Sequence, residues 1–298
     1  MSVTWQALRA STWFRAARTT RGWVGLVLVG VVTVIALAGP LLAPFSPTML
    51  VGAPFGAPGG GHLLGLEYVG RDTLARVLDG GIRILPLAAI ATAGGVGLGA
   101  FLGISAGYRG GAYDEIVMRT LDVLLAVPQI ILALLLVSLA GASPLLVGTA
   151  VVLIHAPQVA RVARAATLRA AQEDFVRYSQ ALSDPPLRIM LNDVLPSVAG
   201  PLLVESALRL TYSIGIIASL NFLGLGTRPP FPDWGAMINE NRIGIDQNPW
   251  PVVVPVALVA VLTIGASLFA DALARVTAGL ELGSEGVVVK QEADGRDA

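Results

Sequence analysis

Glu205 and Arg209 stand four residues apart inside the otherwise uncharged run Val198–Gly224. On a helix that spacing puts both side chains on one face. Ionisable groups in hydrocarbon cost several kcal/mol unless they are paired or wet. At about 1.5 Å per residue Glu205 lies roughly 14 Å beyond Pro196, near the middle of a hydrocarbon layer ~30 Å thick. Two uses fit such a pair: a structural ion pair between helices, or the charged lining of a wet path through the spans. Tyr212 and Asn221, on the same run, are weaker candidates for that lining.

Other chemistry is sparse. There is no cysteine, which removes disulfides, thiol catalysis and thiolate metal sites. His62 and His155 lie far apart without an HExxH pattern, so no metal site is expected, and both read as residues at span boundaries. Lys290 is the single lysine, and no GxxxxGK[ST] loop precedes it. A phosphate cradle needs that loop, so this chain is expected to bind no cofactor, and any ATP and Mg²⁺ belong on partner chains. A serine nucleophile stays open on composition alone. A net charge of zero argues against a nucleic-acid partner.

The elements that must carry these residues are apolar. Hydrophobic residues make up 54% of the 298 and charged ones 13%, against about 25% charged in soluble domains. A span needs roughly 20 apolar residues, and six are predicted: Trp23–Phe45, Ile84–Tyr108, Ile116–Ala140, Pro144–Val162, Val198–Gly224 and Pro251–Leu273. Ala36–Ala38 before Gly39 resembles a signal-cleavage site, but the apolar run is longer than the usual 7–15 residues, so an anchor is expected. The fold class is thus an all-α integral membrane protein. Its expected parts are an N-terminal segment (1–22), a first span (23–45), an outer segment (46–83), a core of five spans (84–278) with a loop at 158–197, and a polar tail (279–298).

Arginine and lysine set the orientation. With both termini in the cytoplasm, the inner segments hold fourteen basic residues, from Arg9 to Arg296, and the outer ones five: Arg71, Arg76, Arg83, Arg228 and Arg242. Gly95, Gly99, Gly103 and Gly107 recur every fourth residue, a face on which another helix backbone can approach closely.

The inner loop contains "EDFVRYSQALSDPPLRIMLNDVLPS" (173–197). Leu187, Met190, Leu191, Val194 and Leu195 make an apolar stripe of helical period, predicted to end at Pro196. Phe175, Val176, Tyr178 and Leu182 form a shorter set before it, and Ser183-Asp184-Pro185-Pro186 should break the helix between them. The segment reads as helix, turn, helix, lying either on lipid headgroups or in a groove of a soluble partner.

This segment resembles the coupling loop of inner-membrane permeases of ABC importers. "HLLGLEYVGRDTLARVLDGGIRI" (62–84), "GGAYDEIVMRTLDVLLAVPQIILALLL" (110–136), "SLNFLGLGTRPPFPDWGAMI" (219–238) and "FADALARV" (269–276) are similar to the dipeptide/oligopeptide/nickel branch of that family. The resemblance implies a half-pore that pairs with a homologous permease in membrane lipid, with two ATPase subunits attached beneath the pair and coupling to this chain through Phe175, Val176, Tyr178, Ala181, Leu182, Ser183 and Asp184, and with solute delivered by an extracytoplasmic binding protein. It implies short peptides by default, with nickel chelates and glutathione-like compounds open. The chain departs from the pattern in three places. Arg177-Tyr178-Ser179 replaces a Glu-Ala-Ala-like triplet, Ser183 replaces the loop glycine, and Ile217 stands where an acidic residue is common. Serine reaches glycine conformations only at a cost, so a different turn is expected. An ion-coupled secondary transporter using Glu205 is the alternative, but it leaves the helix–turn–helix without a purpose.

Overall fold

The computed structural model describes residues 5–227 and 229–279. The 280–298 tail, with Lys290, and Arg228 lie outside the described residues. The chain is helical, and among the described residues its β-pairing is confined to isolated bridges such as Leu50 with Arg71.

The helices are α1 (Trp5–Arg18), α2 (Thr20–Leu42), α3 (Thr73–Arg109), α4 (Gly111–Leu125), α5 (Gln129–Ala140), α6 (Pro144–Ala170), α7 (Asp174–Ala181), α8 (Pro186–Ile189), α9 (Leu195–Phe222), α10 (Trp234–Asn241) and α11 (Trp250–Thr277). Among the described residues five stretches are long and apolar enough to cross a membrane: α2, α3, α6, the continuous Pro186–Phe222 helix, and α11.

The third expected span, Ile116–Ala140, is not one helix. It breaks into α4 and α5, which meet at 87°. Pro128 is the cause: it disfavours helical geometry at Val127 and stands as the N-cap of α5. Other boundaries move as well. The 1–22 segment carries α1, which Thr19 separates from α2 by accepting from the Gly22 N–H (3.0 Å). The second span starts early, at Thr73, because Asp72 caps it by accepting from the Ala75 N–H (2.7 Å). The line drawn at 83/84 therefore falls inside a helix. The fourth span runs past Pro157 and Val162 to Ala170, since membrane helices tolerate proline where neighbours compensate.

The amphipathic helix after Pro186 does not stop at Pro196 either. It passes through a π turn, Met190–Val194, straight into α9. The extra residue of the π turn rotates the buried face. Met190, Val194, Val198 and Leu202 are buried, whereas Leu187 and Leu191 of the expected stripe are exposed.

The core forms where α3, α6, α9 and α11 converge, on side chains such as Ile84, Val151, Ile214, Leu220 and Leu262. Ile217 is fully buried there, so this position carries packing rather than charge. Glycine makes two of the helix crossings close. A Cβ on Gly95 or Gly99 would lie 2.8 Å from His155 Cβ or 2.6 Å from Ala156 O, and one on Gly103 would collide with Ala160 O. Gly107 meets Arg164 O at 3.0 Å, so all four line the α3–α6 contact. Gly25 and Gly265 do the same for α2 against α11.

At one end of the bundle the segments 43–72 and 223–249 interlock. Glu67 binds Arg71 and, at 2.6 Å, Arg76 Nε. Arg76 also reaches Glu240 (3.1 Å) and Pro230 O (3.0 Å). Burial pushes the Glu67 carboxyl upward, and the two guanidiniums oppose it. Asn248 donates to Leu64 O and Leu66 O, each at 3.0 Å. Trp234 inserts its ring beside Gly80 and Gly81 and donates to Val77 O (2.8 Å).

Candidate functional site

At the opposite end α7 stands on a small apolar cluster. Val176 is fully buried with Ala163, Ala166, Ala170, Ile189 and Val194. Its neighbours in sequence suggest a partner-facing residue, yet it faces inward and fixes the helix to the bundle. Phe175, Tyr178 and Leu182 are 48%, 67% and 60% exposed, and Leu187 and Leu191 extend the uncovered apolar surface. Ala181 and Ser183 are exposed, and half-buried Asp184 pairs with Arg188 (3.2 Å).

The turn after α7 keeps the geometry that glycine would supply. Ser183 has φ +60°. Its N–H donates to Gln180 O (3.0 Å), and the Asp184 N–H donates to Ser179 O (3.2 Å). This pair of bonds closes a helix end with a left-handed residue just past the cap. The expectation of a different turn is corrected: the serine accepts the strain, on the order of 1–2 kcal/mol, and Pro185 and Pro186 then start the next helix.

Glu205 and Arg209 meet as their spacing predicts, Arg209 Nε donating to Glu205 Oε1 at 2.7 Å. Arg209 Nη1 also donates to Gln158 Oε1 on α6. Its guanidinium carbon sits 5.1 Å from the centre of the Tyr212 ring. These side chains open onto a cavity of about 440 Å³ between α5, α6 and α9, with Gln129 and Arg161 completing its polar lining. Arg161 is held by Asp122 of α4 (2.5 Å). One turn on, Arg164 donates from Nε and Nη2 to the two carboxylate oxygens of Asp114 on α4, each at 2.5 Å.

Asn221 does not join this group. It lines a separate cavity of about 710 Å³ at the other end of α9, with Arg83, Ser143, Phe231 and Asp233. The reason is helical phase. Asn221 lies nine residues beyond Tyr212, which turns it to the opposite face. His155 is no boundary residue: it is fully buried and bonds to Ser213 Oγ (2.9 Å), which in turn bonds to Thr92 (2.8 Å). His62 lies outside the bundle, on Asp72 (2.8 Å). Among the described residues no group of three or more His, Cys, Asp or Glu could hold a metal ion.

Sequence reasoning passed over Gln158 and Arg161 as cavity residues. The signal was there: His155, Gln158 and Arg161 follow at three-residue steps, a polar stripe on one side of a span.

Residues 99–278 match the family described as binding-protein-dependent transport system inner membrane component. The chain belongs to that family. This permease is similar to the dipeptide transport system permease protein DppC of Haemophilus influenzae, 32% identical over 88% of this chain and 91% of that one. It is 30% identical to the di/tripeptide transport system permease protein DppC of Pseudomonas aeruginosa over 84% of each chain. The glutathione transport system permease protein GsiD of Pectobacterium atrosepticum is 34% identical over 72% of each chain. The permease is a multi-pass membrane subunit of an ATP-driven importer, in the peptide branch, and not an enzyme.

Proposed function

We propose that this permease forms one half of a path for short peptides or chemically related small solutes, driven by force that a separate ATPase subunit delivers at α7. The form of α7 carries the reading: Phe175, Tyr178 and Leu182 exposed on one side, and Val176 pinning the helix from behind. Anchors at i, i+3 and i+7 are how an amphipathic helix enters a groove. A helix so pinned transmits a push to α6 and α9 without folding away.

The assembly then comprises a homologous permease, two ATPase subunits carrying ATP and Mg²⁺, and an extracytoplasmic binding protein that presents the solute. The arginine distribution supports α7 and both termini on the cytoplasmic side, with the 43–72 and 223–249 segments outside. Glu205, Arg209 and Tyr212 are the stretch of the path that this subunit contributes, and the names of the similar transporters support peptides as solutes.

Leu182→Asp tests the docking. A central interface anchor is worth about 2 kcal/mol or more, so the variant should weaken ATPase engagement at least roughly tenfold. In proteoliposomes holding the whole importer, uptake should fall by a similar factor while the subunit still inserts and pairs with its partner permease. Normal uptake by that variant contradicts the reading.

A further inference from the structure

We infer that the cavity between α5, α6 and α9 is a solute site selective for zwitterions, in which Glu205 receives an ammonium and Arg209 a carboxylate. The inference rests on the reading of this cavity as part of the path and adds what the cavity recognises.

Charge balance decides what this cavity can accept. Glu205 and Arg209 are 10% and 12% exposed at the side chain, buried enough that neither charge can be left alone cheaply. Yet both open onto a cavity of about 440 Å³, within the roughly 300–1,000 Å³ of small-molecule sites. A pair that served only to join two helices would bridge them, whereas this pair lies within α9 and only the neutral Gln158 reaches it from α6. The rim is balanced too, since Asp122 compensates Arg161.

Consider what can open the Glu205–Arg209 bond. An anion on Arg209 strands the Glu205 carboxylate, and a cation on Glu205 strands the guanidinium. An uncharged solute gives neither group a partner of equal strength. A solute with one ammonium and one carboxylate satisfies both at once and leaves the net charge of the cavity unchanged. Gln158 can rotate its amide oxygen off Arg209 to make room, at the cost of one neutral acceptor, and the Tyr212 ring keeps one face of the guanidinium covered.

The test is equilibrium binding of radiolabelled Ala-Phe to the complete importer in nanodiscs, without nucleotide or binding protein, in competition with N-acetyl-Ala-Phe and with Ala-Phe amide. The free dipeptide should bind saturably, and each blocked form at least about tenfold more weakly, as for the loss of one charged partner. Glu205→Gln and Arg209→Gln should each weaken the free dipeptide by about the same factor. The double Glu205→Gln/Arg209→Gln variant leaves no lone charge and should bind all three ligands alike. Equal binding of the three by the wild type, absence of saturable binding, or discrimination retained in the double variant overturns the inference. Uptake of Ala-Phe by the same importer with its binding protein separates the two levels. If uptake occurs without this selectivity, only the zwitterion site fails; if none occurs, the reading beneath it fails.

Discussion

Asp233 shows how a single residue outside the spans can set the response of the permease to pH. Its carboxyl is fully buried and accepts from the Gly235 N–H (2.9 Å) at the start of α10. Burial pushes its pKa up from 3.8 to about 6, against the opposing pull of Asn221, the Ala236 and Gly235 N–H groups and Arg83. A folded-state pKa above the unfolded one means that the folded state binds the proton more tightly. Its stabilising contribution is full below about pH 4, is lost as pH rises toward 6, and is gone above that. The span of the effect is on the order of 2–3 kcal/mol. Asp233→Asn keeps an acceptor for α10 and removes the titration. The unfolding midpoint of the purified wild-type permease should fall as pH rises from about 4 to about 6.5, and should fall less steeply in the variant. Equal slopes would show that other groups carry the dependence.

Glycines decide the packing of whole elements, and α3 supplies its own control. Gly103 faces Ala160 and Ala163 of α6, the latter 2.7 Å from a Cβ built upon it, whereas Gly97 on the same helix meets nothing within 4 Å. Alanine is the better helix former by about 1 kcal/mol. Gly97→Ala should therefore leave the permease as stable as before or slightly more so. Gly103→Ala must push α3 off α6 and should cost about 1–3 kcal/mol, read as a lower unfolding midpoint in detergent; equal midpoints would refute the seam. This seam was legible in the sequence because a four-residue period is a local pattern. The α4–α5 break was not read, although Pro128 was in view: hydropathy counts apolar residues and is silent on direction. The continuation of α6 to Ala170 escaped for the converse reason, since Arg161, Arg164 and Arg169 look like a loop until Asp122 and Asp114 are seen opposite the first two.

Across the whole molecule the two ends differ in kind. The end bearing 43–72 and 223–249 is locked by ion pairs and side chain–backbone bonds, among them Glu67 with Arg71 and Arg76 and Asn248 with two carbonyls. The α7 end offers uncovered apolar side chains instead. Five of the spans and the helix–turn–helix between α6 and α9 could be placed from sequence, because lipid demands long apolar runs and loops stand out between them. Partners across the cavity could not, since Gln158 and Arg209 are 51 residues apart in the chain. The central claim is that driving force enters at α7, and contact is its most direct test. The chain has no cysteine, so Leu182→Cys gives this subunit a single attachment point for a benzophenone cross-linker in the assembled importer. The account predicts a cross-link from that position to an ATPase subunit; capture of lipid alone, with no ATPase band, would contradict it.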